Sequence, residues 1–347
     1  MHIHDLETPS ILLDLDTIHA NIARMQAHCD ALGLRFRPHI KTHKMPLIAR
    51  MQIDAGAVGI ACQKVSEAEI FAQAGFDDIL IPYNILGSAK TRRLASLSLY
   101  NRVTVSADNP KVIAGLAEAA RAEEISLRVL IELATSIQRA GCGVEDVVQL
   151  AQQIDTDENL HFAGLLLYPS MPNARPIIQE ALARLSAAGI GVDIVSGGGI
   201  GAAHHAAEFP ELTELRVGTY VFNDWRTVLD GYASIETCAM RVMATVVSRP
   251  TPDRAILDSG SKTLSSESID GIYGFILEYP QGRIYQLNEE HGYVDLSACE
   301  ERPDVGETVH VIPVHTCVVT NLHDTVYAVR GNRVEEVWQV EARGKVW

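Results

Sequence analysis

Eight short apolar runs, each followed by a helix-patterned stretch or short crossover, fill residues 35 to 217. The runs cover 35–41, 57–63, 78–84, 102–107, 126–133, 160–168, 192–196 and 214–217. Between them lie stretches such as "SEAEIFAQAG", "NPKVIAGLAEAARAEE", "GVEDVVQLAQQI" and "ARPIIQEALARLSAAG". Their apolar residues recur every three to four positions, the period of a helix with one buried face. Asp108-Asn109-Pro110 and Gly143 punctuate them as helix starts or stops. Strand and crossover repeated eight times predict a (β/α)8 barrel of the TIM type.

An earlier apolar run, "SILLDLD" (10–16), is a ninth strand with no place in that count. From about residue 236 the helical period disappears. "CAMRVMATVVSR", "RAILDSG", "GRIYQL", "YVDLS", "TVHVIPVHTCVVT" and "TVYAVRGNRVEEVWQVEA" are β-rich and broken by Gly, Pro, Asp and Asn. The predicted domains are a barrel over 17–235 and a mostly-β domain built from 1–16 plus 236–347. A net charge of −15 argues against nucleic acid as the main partner. No basic amphipathic or long apolar run points to a membrane. The start, "MHIHDLETPSILLDLD", lacks a basic region followed by an apolar one, so no signal peptide is expected. Six scattered cysteines without a CxxC suit a reducing cytoplasm.

Barrel chemistry belongs at the C-terminal ends of the strands. The first run, inside "RFRPHIKTHK" (35–44), ends at Lys41 and places Arg37, His39 and Lys41 on one strand face. Runs seven and eight lead into "VSGGGIG" (195–201) and "RVGTYVFND" (216–224), where such barrels hold phosphate. Gly197, Gly198 and Gly199 allow backbone to approach an anion, and Ser196, Thr219 and Tyr220 offer hydroxyls. A lysine and a phosphate cradle at one mouth point to pyridoxal 5'-phosphate (PLP), whose aldehyde a lysine anchors. In "VIPVHTCVV", His315 and Cys317 stand two apart on an expected strand. Imidazole and thiolate sharing a face make a divalent-metal pair, although HxC alone is a common coincidence.

"TPSILLDLDTIHANIARM", "RPHIKTHK", "VSGGGIG", "ELRVGTYVFND", "LDSGSKTLSSE", "EEHG" and "IPVHTCVVTNLHD" occur in this order along nearly the whole chain. Together they resemble the fold-type III PLP enzymes of the D-serine dehydratase and D-threonine aldolase family. That resemblance implies an alanine-racemase-type barrel and a C-terminal β domain. It makes Lys41 the cofactor anchor and His315 and Cys317 the ligands of Zn or Mn. Gly197, Gly198 and Gly199 become the phosphate loop, aided by Gly218, Thr219 and Tyr220. Arg139 of "QRAGCG" looks like the arginine that approaches the cofactor's phenolic oxygen, and Tyr168 is a further cofactor neighbour. The chain departs from related barrels at "ELATSIQRAG" and at "PSMPN" after Tyr168, which affects substrate identity. Arg37 and His39 are expected deeper in the barrel, paired with acids such as Glu132 or Glu214. His291 of "EEHG" is either a second contributor or a loop residue.

The expected substrate is a small D-β-hydroxy-α-amino acid. If Lys41 takes the Cα proton, the β-hydroxyl leaves and a keto acid and ammonia result. This is dehydration of the D-serine, D-threonine or 3-hydroxy-D-aspartate type, and the HxC pair leans toward it. If the hydroxyl loses its proton instead, Cα–Cβ breaks to glycine and an aldehyde, as in a D-threonine aldolase. An amino-acid racemase would need a second base and no metal, and a non-catalytic PLP carrier would lack the β domain. The family also implies a homodimer.

Overall fold

The structure, a computed structural model, describes residues 1–347 and divides into two compact units. One holds Met25–Lys41, Pro46–Gly218 and Lys345–Trp347; the other holds Met1–Arg24, Thr42–Met45 and Thr219–Gly344.

The first unit is an eight-stranded parallel sheet. Its strands are β2 (Arg35–Phe36), β3 (Ile60–Ala61), β4 (Asp78–Asn84), β5 (Arg102–Ala107), β6 (Leu127–Leu133), β7 (Leu160–Leu167), β8 (Ile194–Gly198) and β9 (Glu214–Arg216). Each pairs with its sequence neighbour, β2 pairs with β9, and a parallel bridge between His39 and Ala61 joins the two ends of the sheet. That is the closed order of the predicted barrel. Six strands fall within two residues of the runs read from sequence. The first two are shorter, because "RFRPHIK" and "AVGIACQ" keep only two residues each in regular pairing. His39 still donates its N–H to the Val217 carbonyl at 3.0 Å, but Ile40–Thr42 then forms a single helical turn. Lys41 therefore rides on that turn and not on the strand face expected for it.

The helices wrap the sheet with their apolar faces inward. In α5 (Pro110–Ala122), Val112, Ile113, Leu116, Ala117, Ala119 and Ala120 are buried. Asn109 caps it by accepting from the N–H groups of Lys111 and Val112, and Pro110 occupies a first-turn position where no donor is needed.

Inside the barrel Ala61, Leu80, Leu130, Ala163, Leu166 and Ile194 form an apolar layer. A line of charges runs alongside it. Arg102 pairs with Asp78, and Asp78 with Arg37 at 2.9 Å. Arg37 reaches Glu214 at 2.9 Å, Glu214 accepts from Ser196 at 2.7 Å, and Ser196 accepts from Arg216 at 2.9 Å. Pairing with Glu214 is what makes burial of Arg37 tolerable. His39 finds Gln63 at 3.1 Å in place of an acid.

The second unit is a nine-stranded sheet. Its strands are β1 (Ser10–Asp14), β10 (Met240–Thr251), β11 (Arg254–Leu257), β12 (Gly274–Ile276), β13 (Arg283–Leu287), β14 (Gly292–Asp295), β15 (Thr308–Pro313), β16 (Thr325–Arg330) and β17 (Arg333–Gln339). The orphan strand β1 pairs antiparallel with β10 and parallel with β16, as its exclusion from the barrel requires. The expected strand through "HTCVVT" is absent. β15 stops at Pro313, and Thr316–Leu322 is a helix, α11. The Asp224 carboxylate accepts from the Thr316 N–H at 3.3 Å and caps that turn. His291 lies exposed in the turn between β13 and β14, where its carbonyl accepts from Asn288. It is a loop residue.

Candidate active site

In the barrel unit the C-terminal ends of the strands converge on Tyr168. The Lys41 ammonium lies 6.0 Å from the centre of the Tyr168 ring, and the Arg139 guanidinium lies 4.7 Å from it. Tyr168 is fixed from below by Thr135, whose hydroxyl donates to the Tyr168 carbonyl at 2.7 Å. The loop carrying Arg139 is pinned by Asp108, whose carboxylate accepts from the Gly141 N–H at 2.9 Å.

The glycine run approaches the same ring. A Cβ on Gly198 would sit 3.4 Å from Tyr168 and 3.5 Å from the Arg216 guanidinium carbon; one on Gly199 would sit 3.6 Å from Tyr168. Gly199 also has φ +113°, where side chains are strained. A Cβ on Gly198 would also sit 2.8 Å from the Arg216 carbonyl oxygen, so glycine here lets two backbones pack closely beside the tyrosine. It does so without offering all the anticipated donors. Gly198 gives its N–H to the Ser170 hydroxyl at 3.0 Å, and Gly199 gives its own to the Arg216 carbonyl at 3.2 Å. The amides left to face an anion are those that open the next turn, Ile200 and Gly201.

Arg216 is a site residue that the sequence reading passed over. It is fully enclosed and donates to Ser196 and to the Leu167 carbonyl. Burial pushes its pKa down to about 10, against the pull of Glu214 and Glu132. Glu132 answers it. Burial lifts that carboxyl above its ordinary range although Arg216 and Arg139 favour its charge. The signal available was an arginine inside an apolar strand, "ELRVG", which is costly unless something polar receives it.

Gly218 ends the barrel segment, and the second unit resumes with the turn Thr219–Val221, where Tyr220 is buried. His315 is the residue before α11 and Cys317 the second within it. They do not share a strand face, yet Cys317 lies close enough to act on the charge of the His315 ring. Cys317 Sγ also lies 3.1 Å from the Thr42 hydroxyl and 4.0 Å from that of Thr219. His315 Nδ1 is 2.8 Å from Glu267 Oε2. Burial disfavours the charged imidazole, but Cys317 and Glu267 outweigh it and raise the His315 pKa to about 9. No cluster of three His, Cys, Asp or Glu side chains suited to a metal ion occurs. One imidazole and one thiol fit a divalent ion whose remaining positions are left to water or substrate. The Lys41 amine and the Arg139 guanidinium beside the Tyr168 ring, with the turn that opens after Gly199, are groups that suit PLP.

The sequence matches two known families: "Alanine racemase, N-terminal domain" over residues 13–224 and "Putative serine dehydratase domain" over 239–329. A D-threonine aldolase of Arthrobacter sp. is 36% identical, with 98% of this chain and 93% of that protein covered. The D-threo-3-hydroxyaspartate dehydratase of Delftia sp. is 29% identical over 96% of this chain and 97% of its own. The crystal structure of D-threonine aldolase from Filomicrobium marinum superposes with a TM-score of 0.91 at 32% identity, covering 99% and 97% of the two chains. Variant structures of a D-threo-3-hydroxyaspartate dehydratase match at 0.89 and 0.88, with 27% and 26% identity and 98% of this chain covered. One replaces a histidine by alanine; the other, metal-free, replaces a cysteine two positions later. No helix is long and apolar enough to cross a membrane. The chain belongs to the family of PLP-dependent lyases that join an alanine-racemase-type barrel to a serine-dehydratase-type β domain.

Proposed function

We propose that this chain is a PLP- and divalent-metal-dependent lyase of small D-β-hydroxy-α-amino acids, with aldol cleavage to glycine and an aldehyde as its reaction. The observation that carries the class is the convergence of Lys41 and Arg139 on the Tyr168 ring at the strand ends. Aldol cleavage is favoured over dehydration because the aldolases of Arthrobacter sp. and Filomicrobium marinum are 36% and 32% identical to this chain. Dehydration to a keto acid and ammonia is the second reading. The His315–Cys317 pair favours it, since a dehydratase of this family has a histidine and a cysteine at the same spacing.

Lys41 would hold the cofactor through its aldehyde and, once released, serve as the base of the site. Arg139 and Tyr168 would hold the cofactor ring, and Ser196 and Arg216 lie bonded to each other near Gly198. The turn amides after Gly199 would hold the phosphate, beside the closely packed backbone of Gly197 and Gly198. PLP, when bound, supplies a sink for the electron pair released at Cα. Zn or Mn at His315 and Cys317 supplies Lewis acidity to the substrate hydroxyl. In aldol cleavage the Lys41 amine would take up the hydroxyl proton as Cα–Cβ breaks and, as the ammonium, give it to Cα. In dehydration the same amine would take the Cα proton and give it to the departing hydroxyl, which leaves as water. We further infer a homodimer, and a reducing compartment such as the cytoplasm, since none of the six cysteines forms a disulfide.

The test is product analysis on D-threonine and L-threonine with PLP and Zn²⁺ or Mn²⁺. Glycine and acetaldehyde from the D-isomer alone support the reading. Oxobutanoate and ammonia would replace it with the dehydratase. Turnover of the L-isomer would overturn the D-specificity.

A further inference from the structure

We propose that Glu267 is the positioning residue of the metal pair, accepting the His315 Nδ1–H and thereby presenting Nε2 to the cation. The inference rests on reading His315 and Cys317 as metal ligands. With Nδ1 turned to Glu267 at 2.8 Å, Nε2 is the ring nitrogen left for a cation. A cation at Nε2 would then meet a ring already oriented by Glu267. Carboxylate support of a ligating histidine fixes the ring and raises its basicity.

Two further observations show that Glu267 is held there by construction. The segment before it is docked on α11 at its other end, where the His323 ring lies 3.2 Å from the Thr263 carbonyl. So the residues that follow β11 grip α11 at both its beginning and its end. Between the two grips, Ser265 is buried at φ +68°, ψ 173°. That region belongs to glycine, and a serine is kept in it only where surrounding structure overrides the strain. The Ser265 hydroxyl accepts from the Glu267 N–H at 3.3 Å, which sets the direction in which Glu267 leaves the turn. The other carboxylate near His315 is already committed elsewhere. Asp224 accepts from the N–H groups of Thr227 and Thr316 and serves as a cap.

The test is a Co²⁺ titration of the full-length, PLP-loaded protein, read by thiolate-to-cobalt charge-transfer absorbance. Glu267→Ala is expected to weaken Co²⁺ binding about 10- to 100-fold, with the PLP absorbance and thermal midpoint unchanged. Glu267→Gln keeps an oxygen acceptor for Nδ1–H and is expected to recover most of that loss. His315→Ala is expected to remove the cobalt band. Glu267→Ala with wild-type affinity, while His315→Ala loses the band, would overturn the role of Glu267 and leave the metal site standing. Absence of the band in the wild-type protein would overturn the metal site and this inference with it.

Discussion

Removing Glu214 is expected to be among the costliest single changes in the barrel. Its side chain is 1% exposed and accepts from Arg37 Nε at 2.9 Å and from Ser196 at 2.7 Å. Glu214→Ala leaves two buried guanidinium groups facing each other across the vacated space. Arg37 keeps Asp78, 2.9 Å away but 17% exposed. Arg216 keeps Glu132 and the carbonyl acceptors, having lost its strongest opposite charge. Breaking a buried ion pair by deleting one partner costs about 3–5 kcal/mol. The surviving Asp78 contact places this case near the lower end, about 3 kcal/mol. Against a total stability of about 5–15 kcal/mol, that loss is large. Urea unfolding followed by far-ultraviolet circular dichroism measures it. The same reasoning requires that Arg37→Met with Glu214→Leu, which removes both charges and refills the volume, recovers most of the loss. A Glu214→Ala cost below about 1 kcal/mol, or a double variant as unstable as the single, would refute the claim that uncompensated buried charge sets the magnitude.

Further outcomes follow from the same geometry. Gly197→Val puts a Cβ 2.4 Å from the Ser170 hydroxyl, which receives the Gly198 N–H. It should cost about 1–3 kcal/mol by overpacking and weaken PLP binding in a spectrophotometric titration. Cys317→Ala should lower bound Zn²⁺, measured by elemental analysis, and reduce lyase turnover while the PLP absorbance persists. Glu278 accepts from the His310 ring at 2.6 Å and its N–H at 2.8 Å. Burial opposes its charge, but these bonds prevail and hold the carboxyl below its ordinary range. Its contribution is therefore complete above the unfolded value of about 4.3 and is lost as pH falls through the depressed native one. Glu278→Gln should destabilise by about 1 kcal/mol at neutral pH, discounted for a half-exposed group. That difference should vanish in acid, as measured by denaturant melts across pH.

The barrel was legible because six of its strands are long enough to show their own β-rich pattern between amphipathic helices. β2 and β3 were overread: backbone pairing continues as far as His39, but regular strand geometry does not, and the turn at Ile40–Thr42 carries Lys41. The HxC pair was found for a reason that failed. Val318, Val319 and Thr320 are β-branched and read as strand. A carboxylate ninety-two residues away, Asp224, caps the turn and makes it a helix. His315 and Cys317 meet nonetheless. Glu267 and Arg216 were missed for a related reason. Each takes its role from a partner remote in sequence, and no local spacing announces it.

The most direct test of the account is borohydride reduction of the PLP-loaded protein followed by peptide mass mapping. The account predicts a phosphopyridoxyl group on Lys41, and a Lys41→Ala protein that lacks both the label and the yellow absorbance of the lysine-bound cofactor. A label on another lysine, or undiminished labelling of Lys41→Ala, would contradict it.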